Sequence, residues 1–360
     1  MIVGILGGGQ LARMLALAGH PLGLKFIVLD PVDDACAAPV AEQLKGAYDD
    51  QALLAQLGKR ADVVTYEFEN VPVTAVEFLA DKVAVCPLPQ ALAMAQDRLS
   101  EKNLFRELDI PTPEFAAIDT LADLEQAMAK IGYPAVLKTR TQGYDGKGQE
   151  MLRKPEDLAA AWQCLAGVPA IVEAFVPFER ELSIIAVRSS TGEMICYPLS
   201  ENTHRDGILR LSIARPDEAL QARAVEYAER LLDRLGYVGV LALELFQVGN
   251  ELLANEFAPR VHNSGHWTQD GAETSQFENH LRAILGLPLG ATDAIGHAAM
   301  INLVGAIPAT VDVLVNTHAH LHLYGKEPRP GRKVGHINLC AQSQAELEAE
   351  IKIIQKLSGN

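Results

Sequence analysis

A chain of 360 residues has room for two or three domains with buried cores, and 31 basic against 46 acidic side chains, net −15, disfavour nucleic acid and anionic membranes as general partners. Its 49% apolar and 21% charged residues are ordinary for a soluble globular protein. Five scattered cysteines, Cys36, Cys86, Cys164, Cys196 and Cys340, form no C-x-x-C pair, which argues against a disulfide framework or a thiolate zinc site and for a reducing cytoplasm.

The segment "MIVGILGGGQLARMLALAGHPLGLKFIVLD" reads as strand, glycine turn, helix and strand, a βαβ unit that predicts a parallel, doubly wound domain. Gln10 and Arg13 interrupt the apolar run and no basic flank precedes it, so it reads as neither a signal peptide nor a membrane span. Gly7-x-Gly9-x-x-Ala12, with Asp30 closing the next strand, meets the dinucleotide fingerprint. Three readings stay open at that turn: NAD, another anionic ligand at the helix N-terminus, or a tight turn that needs small residues whatever it binds. "ADVVTYEFEN" supplies another strand and "VAVCPLP" one more, and the first domain is expected to close near residue 100. Glu69 stands at a strand end, where ligands of open α/β sheets gather; a helix cap or a solvated carboxylate is the plainer alternative.

"DRLSEKNLFRELD" is helical, "IPTPEF" extended, and "LADLEQAMAKIG" an amphipathic helix stopped by Gly132. Strands "PAVLK" and "QEMLR" then flank a glycine-rich tip containing Asp145 and Lys147. It is not a Walker loop, because Gly148 follows Lys147 and Thr141 stands where that motif has glycine. Such a tip either folds down over phosphates as a lid or is a mobile exposed hairpin. After the helix "PEDLAAAWQCLA" and a second long helix over 219–235, "VGVLALELFQVGNELLANEFA" predicts a β-hairpin turning at Gly249-Asn250. Glu244 and Glu256 lie six residues either side of Asn250, so they are expected to face each other or nearly so, with Cβ atoms roughly 5 Å apart. Two such carboxylates need a compensating cation: a divalent ion, or Arg260 or another basic side chain. Asn255 adds a further oxygen ligand or donor. A phosphate lid with an acidic hairpin describes a magnesium–nucleoside triphosphate site, where Lys138 and Lys147 would stabilise transferring charge.

Three histidines, His262, His266 and His280, lack an acidic or thiolate fourth ligand at zinc-site spacing, so "HNSGHWT" reads as a pocket-shaping loop. A third, smaller unit begins near 290. Its stretch "YGKEPRPGRKVGH" sets Lys326, Arg329, Arg332 and Lys333 within eight residues, either a solvated loop or an anion site. Ser343-x-x-Glu346 is a capping box for the last helix.

Lys138 on a strand, "GYDGKGQ", "EAFV", Glu181 and the pair Glu244/Glu256 together resemble the ATP-grasp superfamily, and the flanking segments resemble its carboxylate–amine ligase arrangement. Within that group "GILGGGQLARML", "TYEFENV", "ENTHRDGIL" and "NEFAPRVHNSGHWT" resemble the bacterial and fungal enzymes that carboxylate aminoimidazole ribonucleotide in purine biosynthesis. The resemblance implies a Rossmann-like domain over 1–100, an ATP-grasp domain over 101–290 with a flap subdomain at about 112–178, and a small domain over 291–360. It implies ATP and bicarbonate as co-substrates, Mg²⁺ or Mn²⁺ as metal, and a cytoplasmic homodimer. ATP would meet Arg98, Lys138, the flap Gly143, Tyr144, Asp145, Gly146, Lys147, Gly148 and Gln149, and the hinge Glu173, Ala174, Phe175 and Val176. Glu181, His204, Asn255 and Glu256 would complete that site, with Glu244 and Glu256 on the metal. The ribonucleotide would lie against Gln10, Leu11, Glu69, Asn263, Lys326, Arg332 and Lys333. Tyr144, Asp145, Lys147 and Arg260 would serve the chemistry. A formate-using ligase of the same fold, a biotin carboxylase, an NAD oxidoreductase and a non-catalytic binding module are the competing readings.

Overall fold

Five short strands, β1 (Ile2–Leu6), β2 (Lys25–Asp30), β3 (Glu42–Lys45), β4 (Val63–Tyr66) and β5 (Ala84–Val85), all but β3 largely apolar, pair in parallel in the order β3-β2-β1-β4-β5. The structure, a computed structural model, describes residues 1–141, 143 and 148–359. The strand order reverses direction at β1, so the loops after β1 and β4 open a crevice at the sheet's carboxyl edge, where doubly wound folds bind ligands. The helix Gln10–Gly19 leaves that crevice and buries Leu11, Ala12, Met14 and Leu15 against the sheet.

A second, antiparallel sheet contains β6 (Phe115–Ile118), β7 (Ala135–Thr139), β8 (Gln149–Leu152) and β9 (Ala170–Ala174) in the order β6-β9-β7-β8. The helix Leu121–Ile131 covers it. It starts at a reciprocal cap between Thr120 and Asp123 and stops at Gly132, whose φ of 78° suits glycine best. With the helix Leu158–Cys164 it closes a small separate core around Leu124, Met128, Leu137 and Leu152.

The third sheet is the largest. It holds β10 (Arg180–Arg188), β11 (Met194–Cys196), β12 (Leu199–Arg205), β13 (Ile208–Arg215), β14 (Gly239–Val248), β15 (Glu251–Ala258), β16 (His297–Val304), β17 (Ala319–Leu323) and β18 (Lys333–Ala341). Its order is β15-β14-β10-β12-β13-β16-β18-β17, with β11 paired beside β10. The residues after 290 therefore do not stand off as a free-standing unit. They extend this sheet through Leu211↔Ile301, Ser212↔Met300 and Ile213↔Ala299, giving β13 a partner it would otherwise lack. The last helix, Gln344–Ser358, packs on the extension through Leu347, Ile351 and Ile354. Ser343 accepts the Glu346 N–H as the capping pattern predicts, but the Glu346 carboxylate takes the N–H of Gln342 rather than that of Ser343. One core joins the first sheet to the third, from Val3 and Leu15 through Val240 and Trp267 to Met300.

Candidate active site

A cavity of about 780 Å³ opens where the three sheets meet. Gln10, Leu11 and Glu69 line it from the first sheet, and Arg98 from the helix that follows. Lys138, Gly143, Gln149, Glu173, Ala174, Phe175 and Val176 line it from the small sheet. Glu181, His204, Glu244, Asn255, Glu256, Arg260, Asn263 and Lys333 line it from the largest. Of the described candidates, Gly148, Lys326 and Arg332 fall outside that lining, and Gly148 borders a smaller neighbouring recess. Tyr144, Asp145, Gly146 and Lys147 lie outside the described residues.

The β14–β15 hairpin turns at Gly249-Asn250 and pairs regularly from Val248↔Glu251 to Leu245↔Ala254. An unbroken ladder would next set Asn255 opposite Glu244 and send Glu256 to the other face. Instead Asn255 bulges, and Glu244 pairs with Glu256. The bulge is what brings both carboxylates into the cavity. Burial first, and the facing Glu256 second, push Glu244 up to about 7. Arg260, one cation weighed for this pair, is committed elsewhere, 2.5 Å from Glu69. The His262 Nε2 lies 3.3 Å from Glu244, but burial and the nearby Arg260 charge hold that ring well below the ordinary histidine range and so neutral. Two oxygen ligands under mutual repulsion fit a hard divalent cation. His280 does not join them: its Nε2 meets the Thr65 hydroxyl at 3.0 Å and its Nδ1 accepts the Val240 N–H at 3.1 Å.

On the small-sheet side Lys138 Nζ lies 3.2 Å from Glu173, whose other partner is Lys102 at 3.3 Å. Sequence reasoning missed Lys102, because in "DRLSEKNLFRELD" it looks like one more solvated helix charge. It is 1% exposed and also reaches the carbonyls of Ala254 and Asn255 at 3.3 and 2.7 Å. Burial alone would raise the Glu173 pKa, but the two ammonium groups outweigh it and hold the carboxyl at about 2. Burial also pulls Lys102 downward; the ring of oxygens around Nζ favours its charged form, and we take the pair as ionised. Arg98 reaches across to the carbonyls of Thr139 and Gly143 at 3.4 and 3.2 Å. Glu101, also missed, is buried beside Glu256 and accepts the Phe257 N–H at 2.6 Å. Glu181 binds His204 Nδ1 at 2.8 Å; burial works against the imidazolium, but that carboxylate prevails and raises the His204 pKa.

The glycine turn corrects one expectation. Three of its amides are taken up inside the protein: Gly8 N–H donates to Asp30 at 2.7 Å, while Gly9 and Ala12 donate to the buried Glu67. Asp30 further accepts from Val32 and from the Tyr48 hydroxyl, so it is spent inside the protein rather than aimed at a ribose, and the NAD reading loses its key acid. Glu67 follows the end of β4 at Tyr66, beyond the reach of strand alternation, and no pattern in "YEFEN" marks its burial. The basic loop does return to this edge, through Lys326 Nζ, 2.5 Å from the Gln10 side chain.

A small antiparallel sheet clamped against a larger one, with facing glutamates on the large sheet and a strand lysine on the small one, defines the class: an ATP-grasp ligase. Sequence profiles agree, matching the ATP-grasp domain over residues 103–277, the ribonucleotide synthetase preATP-grasp domain over 1–96 and the phosphoribosylaminoimidazole carboxylase C-terminal domain over 298–350. The chain is 54% identical to the N5-carboxyaminoimidazole ribonucleotide synthase of Pseudomonas aeruginosa over 99% of both chains. It is similar to the Thermus thermophilus N5-carboxyaminoimidazole ribonucleotide synthetase structure with a TM-score of 0.96 and 53% identity, over 99% of both chains. The Aspergillus clavatus synthase, solved with ADP and 5-aminoimidazole ribonucleotide, matches at a TM-score of 0.91 and 32% identity over 100% of this chain and 99% of that one. The chain belongs to the N5-carboxyaminoimidazole ribonucleotide synthase family.

Proposed function

We propose that this protein carries out the family reaction, ATP-dependent carboxylation of 5-aminoimidazole ribonucleotide in purine biosynthesis, with bicarbonate as the carbon source. The observation that carries this reading is the bulged hairpin, which sets Glu244 against Glu256 in a cavity whose far wall is the carboxyl edge of the first sheet. Glu244 and Glu256 would hold Mg²⁺ or Mn²⁺, which when bound neutralises charge on the terminal phosphates. Arg98 and Lys138 meet the phosphates from the small-sheet side. Residues 173–176 form the adenine hinge, Glu181 and His204 receive the ribose, and Asn255 completes the site.

Bicarbonate is a poor electrophile and needs activation. In this reading its oxygen attacks the γ-phosphorus, the bond to the ADP oxygen breaks, and carboxyphosphate forms beside Arg260, which neutralises it. The 5-amino nitrogen then bonds to the carboxyl carbon as phosphate leaves, and the amine gives up one proton. Glu69, ion-paired to Arg260, links that step to the ribonucleotide held by Gln10, Leu11 and Asn263. Lys326, Arg332 and Lys333 receive the substrate phosphate, a role supported by the Lys326–Gln10 contact. Tyr144, Asp145 and Lys147 are assigned to the chemistry of transfer, whose labile intermediate must be kept from water. A cytoplasmic homodimer completes the reading. The test is ADP release from the intact protein with Mg-ATP: it should require bicarbonate and aminoimidazole ribonucleotide together. Release driven by formate instead would overturn the assignment.

A further inference from the structure

Asn263 stands at the cavity wall, but what holds its side chain is a residue with no cavity surface. Asn302, on β16, is fully buried between Ile301 and Leu303. Its Nδ2 donates to the Leu209 carbonyl at 2.8 Å and to Asn263 Oδ1 at 2.6 Å. Asn263 Nδ2 donates back to Asn302 Oδ1 at 3.0 Å. A primary amide carries two N–H donors and a carbonyl with two lone pairs. Asn302 therefore uses both donors, while Asn263 keeps one N–H and one lone pair for the cavity.

The Leu209 carbonyl decides which way round this pair sits. Turned over, Asn302 would press its own oxygen against that carbonyl, two acceptors with no proton between them. With Asn302 fixed, the reciprocal pair admits only one orientation of Asn263. A leucine at this position would leave the Leu209 carbonyl and the Asn263 amide without these partners, and a buried polar group is tolerable only when satisfied. The polar choice makes sense as support for its neighbour.

We infer that Asn302 is a positioning residue for the ribonucleotide, holding the Asn263 amide so that its spare donor and acceptor meet a neutral group that both donates and accepts, such as a ribose hydroxyl or an amine. This rests on the reading of Asn263 as a substrate contact. The role also gives the C-terminal extension of the large sheet a purpose in the site, because β16 delivers the buried amide.

Steady-state kinetics on the full chain test it, with Asn263→Ala, Asn302→Leu and the double variant. Asn302→Leu should raise the KM for aminoimidazole ribonucleotide about tenfold and leave the KM for ATP within about twofold. The double variant should be no worse than Asn263→Ala, since both changes break one interaction. If Asn302→Leu does not fold, Asn302→Thr, smaller and able to donate to Leu209, is put through the same comparison. Multiplying effects, an equal rise in both KM values, or an unchanged ribonucleotide KM in a folded Asn302 variant overturns the inference. An unchanged KM in Asn263→Ala would instead remove the underlying reading of Asn263, and the inference with it.

Discussion

Glu244 combines a role in the site with a cost to the fold. Its pKa of about 7 lies above the ordinary 4.5, so between those values the folded chain keeps a proton that the unfolded chain has lost. Stability from this group is therefore full below about pH 4.5 and declines as pH rises to about 7. A divalent cation held as proposed would have to displace that proton, so metal affinity should climb through the same window. Glu244→Gln removes the repulsion and the ligand together. ADP formation should fall by about 100-fold or more, while the metal-free variant melts roughly 2–4 °C above the parent at pH 8 and no higher at pH 5. Calorimetry at both pH values, paired with the ADP assay, decides it; equal melting at pH 8 would show the carboxylates do not oppose each other. This pair was readable from spacing around one turn, although the bulge that completes it was not. Glu67 and Glu101 were not readable, because their burial depends on strands and helices distant in sequence.

The helix Arg98–Glu107 shows how an element can be recognised while its purpose stays hidden. Leu104 and Phe105 mark its apolar side, and the same side also carries Glu101 and Lys102 inward. A polar residue on a buried helix face has no periodic signature that separates it from a solvated one. Lys102 ties three elements at one point: β9 through Glu173, β15 through the carbonyls of Ala254 and Asn255, and the segment before β6 through Thr112 at 3.1 Å. Lys102→Met keeps the apolar stem but leaves Glu173 with Lys138 alone. Removing one partner of a buried ion pair costs about 3–5 kcal/mol, and the remaining lysine places this change toward the lower end. Urea denaturation should show that loss, and the KM for ATP should rise because β9 and Asn255 lose their common anchor. A variant as stable as the parent, with an unaltered KM, would mean that water replaces the ammonium.

At the scale of the whole molecule, four of the five strands of the N-terminal parallel sheet were legible because βαβ patterns are local, whereas the polar edge strand β3 carries no apolar run to mark it. The joining of the chain's last fifth to the ATP-grasp sheet was not legible, since β13 and β16 are separated by the helix Gln221–Arg234, the β14–β15 hairpin, the loop that holds Asn263 and the helices Thr268–Gly271 and Gln276–Ile284. Physical consequences follow from that join. Cutting the chain before His297 would bare the β13 backbone edge, expose Leu211 and Ile213, and remove Ala298, Met300 and Tyr324 from the core shared by the first and third sheets. An unpaired, apolar edge invites aggregation, and the loss of three buried side chains weakens both remaining sheets together. Residues 1–296 expressed alone should therefore be insoluble or unfolded, and the full chain should melt with those two sheets in one transition. The small sheet, with its own core of Ile118, Leu124 and Leu152, is the part able to melt separately. Solubility, circular dichroism and nucleotide binding of the shortened chain check this directly. A folded fragment that binds ATP would show that the C-terminal strands merely decorate the sheet; an unfolded one would show that the substrate cavity and its most distant strand stand or fall as a unit.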